Sequence, residues 1–125
     1  MDTHAVKVAV VDDEASVRKA LARLLRAAGY QPLTYASGAD FLDALGRERF
    51  ACLVLDLQMP GMSGLDVQAW PLFRQAGVPA IVISARDERE ARETCMAAGA
   101  FAYLTKPVDD RELLAAVQAA SAKAR

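Results

Sequence analysis

Histidine is nearly missing from this chain: His4 is the only one in 125 residues. Without a second imidazole there is no histidine metal site, and His4 falls in a stretch read as a loose N-terminal tail, so it is not a candidate base. Cysteine is almost as scarce. Cys52 and Cys95 are the only two, and no C-x-x-C spacing joins them. A disulfide framework or dithiol redox pair is therefore not indicated, and both read as small buried hydrophobes. An excess of one charge is lacking too: 15 basic and 16 acidic residues leave a formal net charge of −1. Nucleic acid draws on a basic field, so direct nucleic-acid binding is not expected. No run approaches the roughly 20 apolar residues of a membrane span, and no signal peptide is read at the start, so the expectation is a cytoplasmic protein away from the membrane.

What is present is the composition of one globular domain, with 54% hydrophobic and 25% charged residues. Residues 1–125 are read as a single unit. Apolar runs of strand length occur at Lys7–Val11, at 52–55 ending in Asp56, at 80–83 ending in Ser84, and at 102–104 just before Lys106. Gln31–Tyr35 is a further candidate strand. Between them the period becomes helical. Val17, Leu21, Leu24 and Leu25 form one stripe, which Gly29 ends. Ser37 with Asp40, Asp87 with Glu90, and Asp109 with Glu112 read as helix starts. Pro60, Gly61 and Gly64 are turn chemistry, and Met59 and Met62 fit a mobile loop. A third helix is expected from about Leu65, kinked or broken by Pro71. Trp70 and Phe73 share helical spacing and read as core or interface. The order is β-α five times, which implies a parallel sheet covered by helices on both faces: a flavodoxin-like, doubly wound α/β fold. Strands buried on both faces read as continuous apolar runs, as these do.

Polar residues break the runs at equivalent places. Asp12 and Asp13 follow the first strand, Asp56 ends the third, Ser84 the fourth, and Lys106 follows the fifth. In a parallel sheet these ends share one edge, where open α/β sheets bind ligands. With a five-stranded order of 2-1-3-4-5, Asp12, Asp13 and Asp56 meet, flanked by Ser84 and Lys106. Three carboxylates in one crevice raise at least one pKa unless something compensates. A divalent cation does so, and carboxylate oxygens plus water suit Mg²⁺, which often completes its shell with phosphate oxygens. Lys106 adds a positive point charge and Ser84 a hydroxyl donor. A carboxylate can itself attack phosphorus, giving an acyl phosphate.

Four segments in this order and spacing carry a resemblance: Val11-Asp12-Asp13-Glu14, Leu55-Asp56-Leu57-Gln58-Met59-Pro60-Gly61-Met62-Ser63-Gly64, Ile83-Ser84-Ala85 and Thr105-Lys106-Pro107. Together they resemble the response-regulator receiver family over nearly the whole chain. The resemblance implies that Asp56 is the phosphoacceptor. Asp13 and Asp56 would ligate Mg²⁺ through side chains, Asp12 mostly through a bound water, and Gln58 through its backbone carbonyl. Ser84 would be the switch hydroxyl, Lys106 the phosphate-binding cation, and Tyr103 the aromatic that turns inward when Ser84 moves. The Lys106–Pro107 bond would be cis. The donor would be the phosphohistidine of a sensor histidine kinase. Phosphorylation would reshape the face made by the fourth helix, fifth strand and fifth helix, which would contact a partner or a second copy. By the same resemblance Gln58 and Arg86 would tune acyl-phosphate hydrolysis. A stand-alone receiver and one joined to a helix-turn-helix output domain both fit.

Each residue alone has a plainer reading. Asp12, Asp13 and Glu14 can cap the first helix, Asp56 can end a strand, Ser84 can be a satisfied loop hydroxyl, and Lys106 can be solvated. Tyr103 can be simple packing. Three competing functions differ in class. A haloacid-dehalogenase-type phosphatase also uses an Asp after an apolar strand, but wants a second acid where Gln58 stands. A flavodoxin-like electron carrier cradles phosphate after the first strand, where three acids would repel it. A receiver that binds partners without phosphorylation would not need every site residue, and all are present.

Overall fold

Alternating strand-length and helical patterns become five strands and six helices among the described residues, 6–86 and 88–123, of a computed structural model. In chain order these are β1 (Lys7–Val11), α1 (Ala15–Ala27), β2 (Gln31–Tyr35), α2 (Gly38–Leu45), β3 (Cys52–Asp56), α3 (Gly64–Ala69), α4 (Pro71–Ala76), β4 (Ala80–Ser84), α5 (Arg89–Ala97), β5 (Ala102–Thr105) and α6 (Asp110–Lys123). The sheet is parallel throughout, in the order β2-β1-β3-β4-β5, as expected. His4 and Asp87, and with Asp87 the expected start of the helix that became α5, lie outside the described residues.

Alternation of side chains across the sheet sorts the core into two layers. Val8, Val10, Cys52, Val54, Ile81 and Ile83 face α1 and α6, packing on Leu21, Leu25, Leu113 and Val117. Ala9, Val11, Leu53, Leu55 and Ala80 point the other way, onto Phe41, Leu42, Leu45, Val67 and Phe73. Burial on both faces holds for β1, β3 and β4, whose side chains are inside. It fails for the edge strands β2 and β5, most of whose positions are exposed or only partly buried. Pro32 is tolerated in β2, since an edge strand does not need every N–H for a ladder.

Pro71 breaks the third helix as its chemistry requires. Trp70 before it is extended, at φ −67° and ψ 131°, and separates α3 from α4. Phe73 goes into the core, whereas Trp70 is 45% exposed, so of the two alternatives, core or interface, the core holds for Phe73 alone. The break turns the indole out of the stripe. Capping follows the sequence elsewhere: Ser37 Oγ accepts from Asp40 N at 3.1 Å, and Asp109 Oδ2 from Glu112 N at 3.0 Å. Gly29 and Gly99 end α1 and α5 with positive φ. A reciprocal capping box of Ser63 and Asp66 starts α3 and was not anticipated. Met59 and Met62 are half-buried against the core. Cys52 and Cys95 are buried free thiols; burial pushes Cys52 up to about 11 and raises Cys95, so neither is a ready thiolate. Among the described residues no helix is long and apolar enough to cross a membrane.

Candidate functional site

The polar strand ends meet. Parallel pairing of β1 with β3 sets Val11 beside Leu55, so the next residue of each strand, Asp12 and Asp56, emerges at the same edge. One carboxylate oxygen from each of Asp12, Asp13 and Asp56 lies within 4.8 Å of the others. Asp12 is fully buried and Asp56 is 3% exposed, whereas Asp13 faces solvent. Lys106 reaches the cluster from the end of β5. Its Nζ lies 3.1 Å from Asp12 Oδ2, 3.4 Å from Asp56 Oδ1 and 4.0 Å from Glu14 Oε1.

Local geometry holds each acid. Asp12 Oδ1 accepts from Glu14 N at 2.9 Å, and its backbone carbonyl accepts from Arg18 Nη1 at 2.8 Å. This carboxylate-to-backbone bond makes a turn just before α1, whose N-cap Glu14 has no side-chain capping bond, so the plain capping reading is not met. Asp56 Oδ1 receives a long bond from Gln58 N at 3.4 Å. Gly64 closes the loop from below: its N–H donates to Leu57 O at 2.9 Å, and an added Cβ would sit 2.8 Å from Asp56 O and 2.9 Å from Leu57 Cα. Only glycine lets the loop pass this close.

Electrostatics follow from the crowding. Burial, then the charge of Asp12, push the Asp56 carboxyl up to about 6, and Lys106 and the Gln58 N–H only partly offset this. Burial works against the Lys106 ammonium, but Asp12 and Asp56 outweigh it and its pKa is raised. One partly buried cation among three acids leaves the cluster short of positive charge. Hard oxygen donors in such a deficit fit a divalent cation such as Mg²⁺.

Ser84 ends β4, fully buried, and its Oγ accepts from Arg86 N at 3.0 Å. Its carbonyl accepts from Lys106 N at 2.7 Å, which ties the two strand ends together. The Lys106–Pro107 peptide is cis, and Pro107 itself is exposed. Tyr103 on β5 is 3% exposed, and its hydroxyl donates to Arg86 O at 2.6 Å. Gln58 is exposed on the loop after Asp56. A cleft of about 630 Å³ opens beside that loop, bounded by Gln58, Met59, Ser63, Arg86 and Glu90. Asp12, Asp13, Asp56, Gln58, Ser84, Lys106 and Pro107 thus lie along one edge of the sheet, and Tyr103, inside β5, reaches toward it through its hydroxyl bond to Arg86 O. The sequence did not disclose Arg18 on the Asp12 carbonyl, Glu14 near Lys106, or Arg92 against Tyr103. The arginines had no signal beyond their places on amphipathic helices.

A doubly wound parallel sheet with an acidic cluster and a lysine at its carboxyl edge defines a receiver class of signalling domain. The chain belongs to the response regulator receiver domain family, whose description its residues 8–118 match. It is 36% identical over 120 residues to the response regulator protein TodT of Pseudomonas putida, an alignment spanning 96% of this chain and 53% of TodT. It is 40% identical over 119 residues to the transcriptional regulatory protein TdiR of Thauera aromatica, spanning 95% of this chain and 52% of TdiR. A solved response regulator receiver protein from Burkholderia phymatum superposes with a TM-score of 0.81 at 47% identity, covering 94% of this chain and 95% of that one. The chain spans about half the length of the curated relatives it matches.

Proposed function

We propose that residues 1–125 act as one receiver unit that takes a phosphoryl group onto Asp56, with Mg²⁺, from the phosphohistidine of a sensor histidine kinase. The observation that carries this reading is the Lys106 ammonium set between the buried Asp12 and Asp56 carboxylates in a three-acid cluster. In the transfer an Asp56 carboxylate oxygen bonds to phosphorus, the donor's P–N bond breaks, and the released imidazole takes up a proton. Bound Mg²⁺ would neutralise the acids and the incoming phosphoryl oxygens together. Asp13 and Asp56 would hold it through carboxylates, Asp12 largely through water, and Gln58 through its backbone carbonyl. Lys106 offers its ammonium to a phosphoryl oxygen, and Ser84 its hydroxyl proton.

The consequence is a population shift. Ser84 hydrogen-bonds to Arg86, and Arg86 to Tyr103, so a pull on the Ser84 hydroxyl reaches β5. The face of α5, β5 and α6 would then change its fit to a partner or a second copy. In a longer, cytoplasmic regulator that partner would be an output domain governing transcription, as the description of TdiR suggests. Incubation with acetyl phosphate and Mg²⁺ should add one phosphoryl group, seen by intact-protein mass spectrometry, and Asp56→Asn should abolish the adduct. Equal labelling of that variant would move the acceptor elsewhere.

A further inference from the structure

Arg92 lies on the first turn of α5, with its side chain toward β5. Its guanidinium carbon is 5.0 Å from the centroid of the Tyr103 ring, within cation–π range. Its Nη1 also donates to the Tyr103 backbone carbonyl at 3.2 Å. One side chain therefore holds both the ring and the main chain of the same residue. Arg92 is itself exposed while Tyr103 is buried, so the guanidinium shields the ring from water. At the other end of the ring the hydroxyl is fixed on Arg86 O, and Arg86 N is fixed on Ser84 Oγ. The Ser84 hydroxyl accepts in that bond, so its proton stays available to a phosphoryl oxygen.

We propose that Arg92 is a positioning residue that keeps Tyr103 buried before Asp56 is phosphorylated, and thereby holds the 84–86 segment ready for the transfer. The inference rests on the reading of Asp56 as phosphoacceptor. Only contacts that differ between ring positions bias an equilibrium. The backbone bond survives a ring rotation and serves to orient the guanidinium; the stacking does not survive it and supplies the bias. A cation–π contact made by a solvent-exposed guanidinium shifts such a balance roughly two- to fivefold. A receiver prepared in this way accepts phosphoryl groups faster by up to that factor, because the competent form is a larger share of the population.

The test uses the full chain carrying 3-fluorotyrosine, with Mg²⁺ and no phosphodonor, observed by ¹⁹F NMR. The chain has three tyrosines, Tyr30, Tyr35 and Tyr103, and Tyr103→Phe assigns the third signal. Arg92→Gln should move the Tyr103 resonance toward that of an exposed tyrosine and leave the other two in place. Arg92→Lys, which keeps the cation without the planar fork, should fall between. Labelling by acetyl phosphate should slow in Arg92→Gln, by up to about fivefold, and that slowing should vanish in a Tyr103→Ala background. An unmoved Tyr103 resonance, or slowing that persists undiminished without the tyrosine, would overturn the proposal. A parent protein that takes no label would instead defeat the phosphoacceptor reading, and the ¹⁹F spectra would still report on the hold.

Discussion

Along β3 five consecutive side chains are buried, yet the first four and the fifth contribute in opposite directions. Cys52, Leu53, Val54 and Leu55 fill the two core layers, and each fully buried aliphatic is worth roughly 1.5–3 kcal/mol. Asp56, just as dry, sits beside a second buried carboxylate with one ammonium between them. The same strand supplies stability through its body and holds charge under tension at its tip. The interior is close to satisfied by packing alone. The edge is left short of positive charge, which is the condition for a site that responds when a cation or phosphoryl group arrives.

That contrast breaks most sharply in the interior. Leu53→Ala removes a side chain with no exposure and should cost about 3 kcal/mol in urea unfolding. The loss should be the same with or without Mg²⁺ and nearly flat with pH. Asp56→Asn should act in the other direction. Its carboxyl titrates near 6 when folded against 3.8 as the ordinary value, so the folded state keeps its proton longer than the unfolded chain. Stability from this group is therefore present at low pH and lost as pH rises from about 4 to 6. Metal-free Asp56→Asn should be more stable than the parent by roughly 2–3 kcal/mol above about pH 6, a gap that closes below about pH 4. Mg²⁺ should raise the parent's unfolding midpoint and narrow the gap; a variant less stable than the parent at pH 8 would reverse the assignment of strain to the edge.

Smaller effects sharpen the boundary between the two regions. Gly64→Ala would press a methyl group on the Asp56 carbonyl and the Leu57 Cα, neither of which can swing away. A loss of about 1–3 kcal/mol is expected, together with slower labelling by acetyl phosphate if the proposed function holds, because the Asp56 backbone must move. Ser37→Ala, at the N-terminus of α2, should cost about 1 kcal/mol through the lost bond to Asp40 N and leave labelling unchanged. A labelling defect in Ser37→Ala would show that core and edge are coupled more widely than the contacts indicate.

Much of this was legible before folding. β1, β3 and β4 were readable because central parallel strands are apolar throughout. Asp12, Asp56, Ser84 and Lys106 were readable because each interrupts or follows a run at the same relative point. β2 was less clear, since Gln31 and Thr34 on an edge strand carry little pattern. The side Trp70 takes was not legible for a related reason: helical spacing assumes a continuous helix, and the extended residue before Pro71 rotates the register. Arg92 and Arg18 gave no sign, because a basic residue on a helix usually marks a solvated face.

By itself, then, the order of apolar runs and their polar ends determined the sheet, its helical cover and the chemistry gathered at one edge, since periodicity and strand length are local properties. Tertiary structure alone decided that Asp12 is buried while its neighbour Asp13 faces water, and that Lys106 reaches an acid 94 residues away. It also decided that Arg92 rests on Tyr103. Burial and long-range pairing depend on how helices pack across the sheet, and no window of sequence contains both partners.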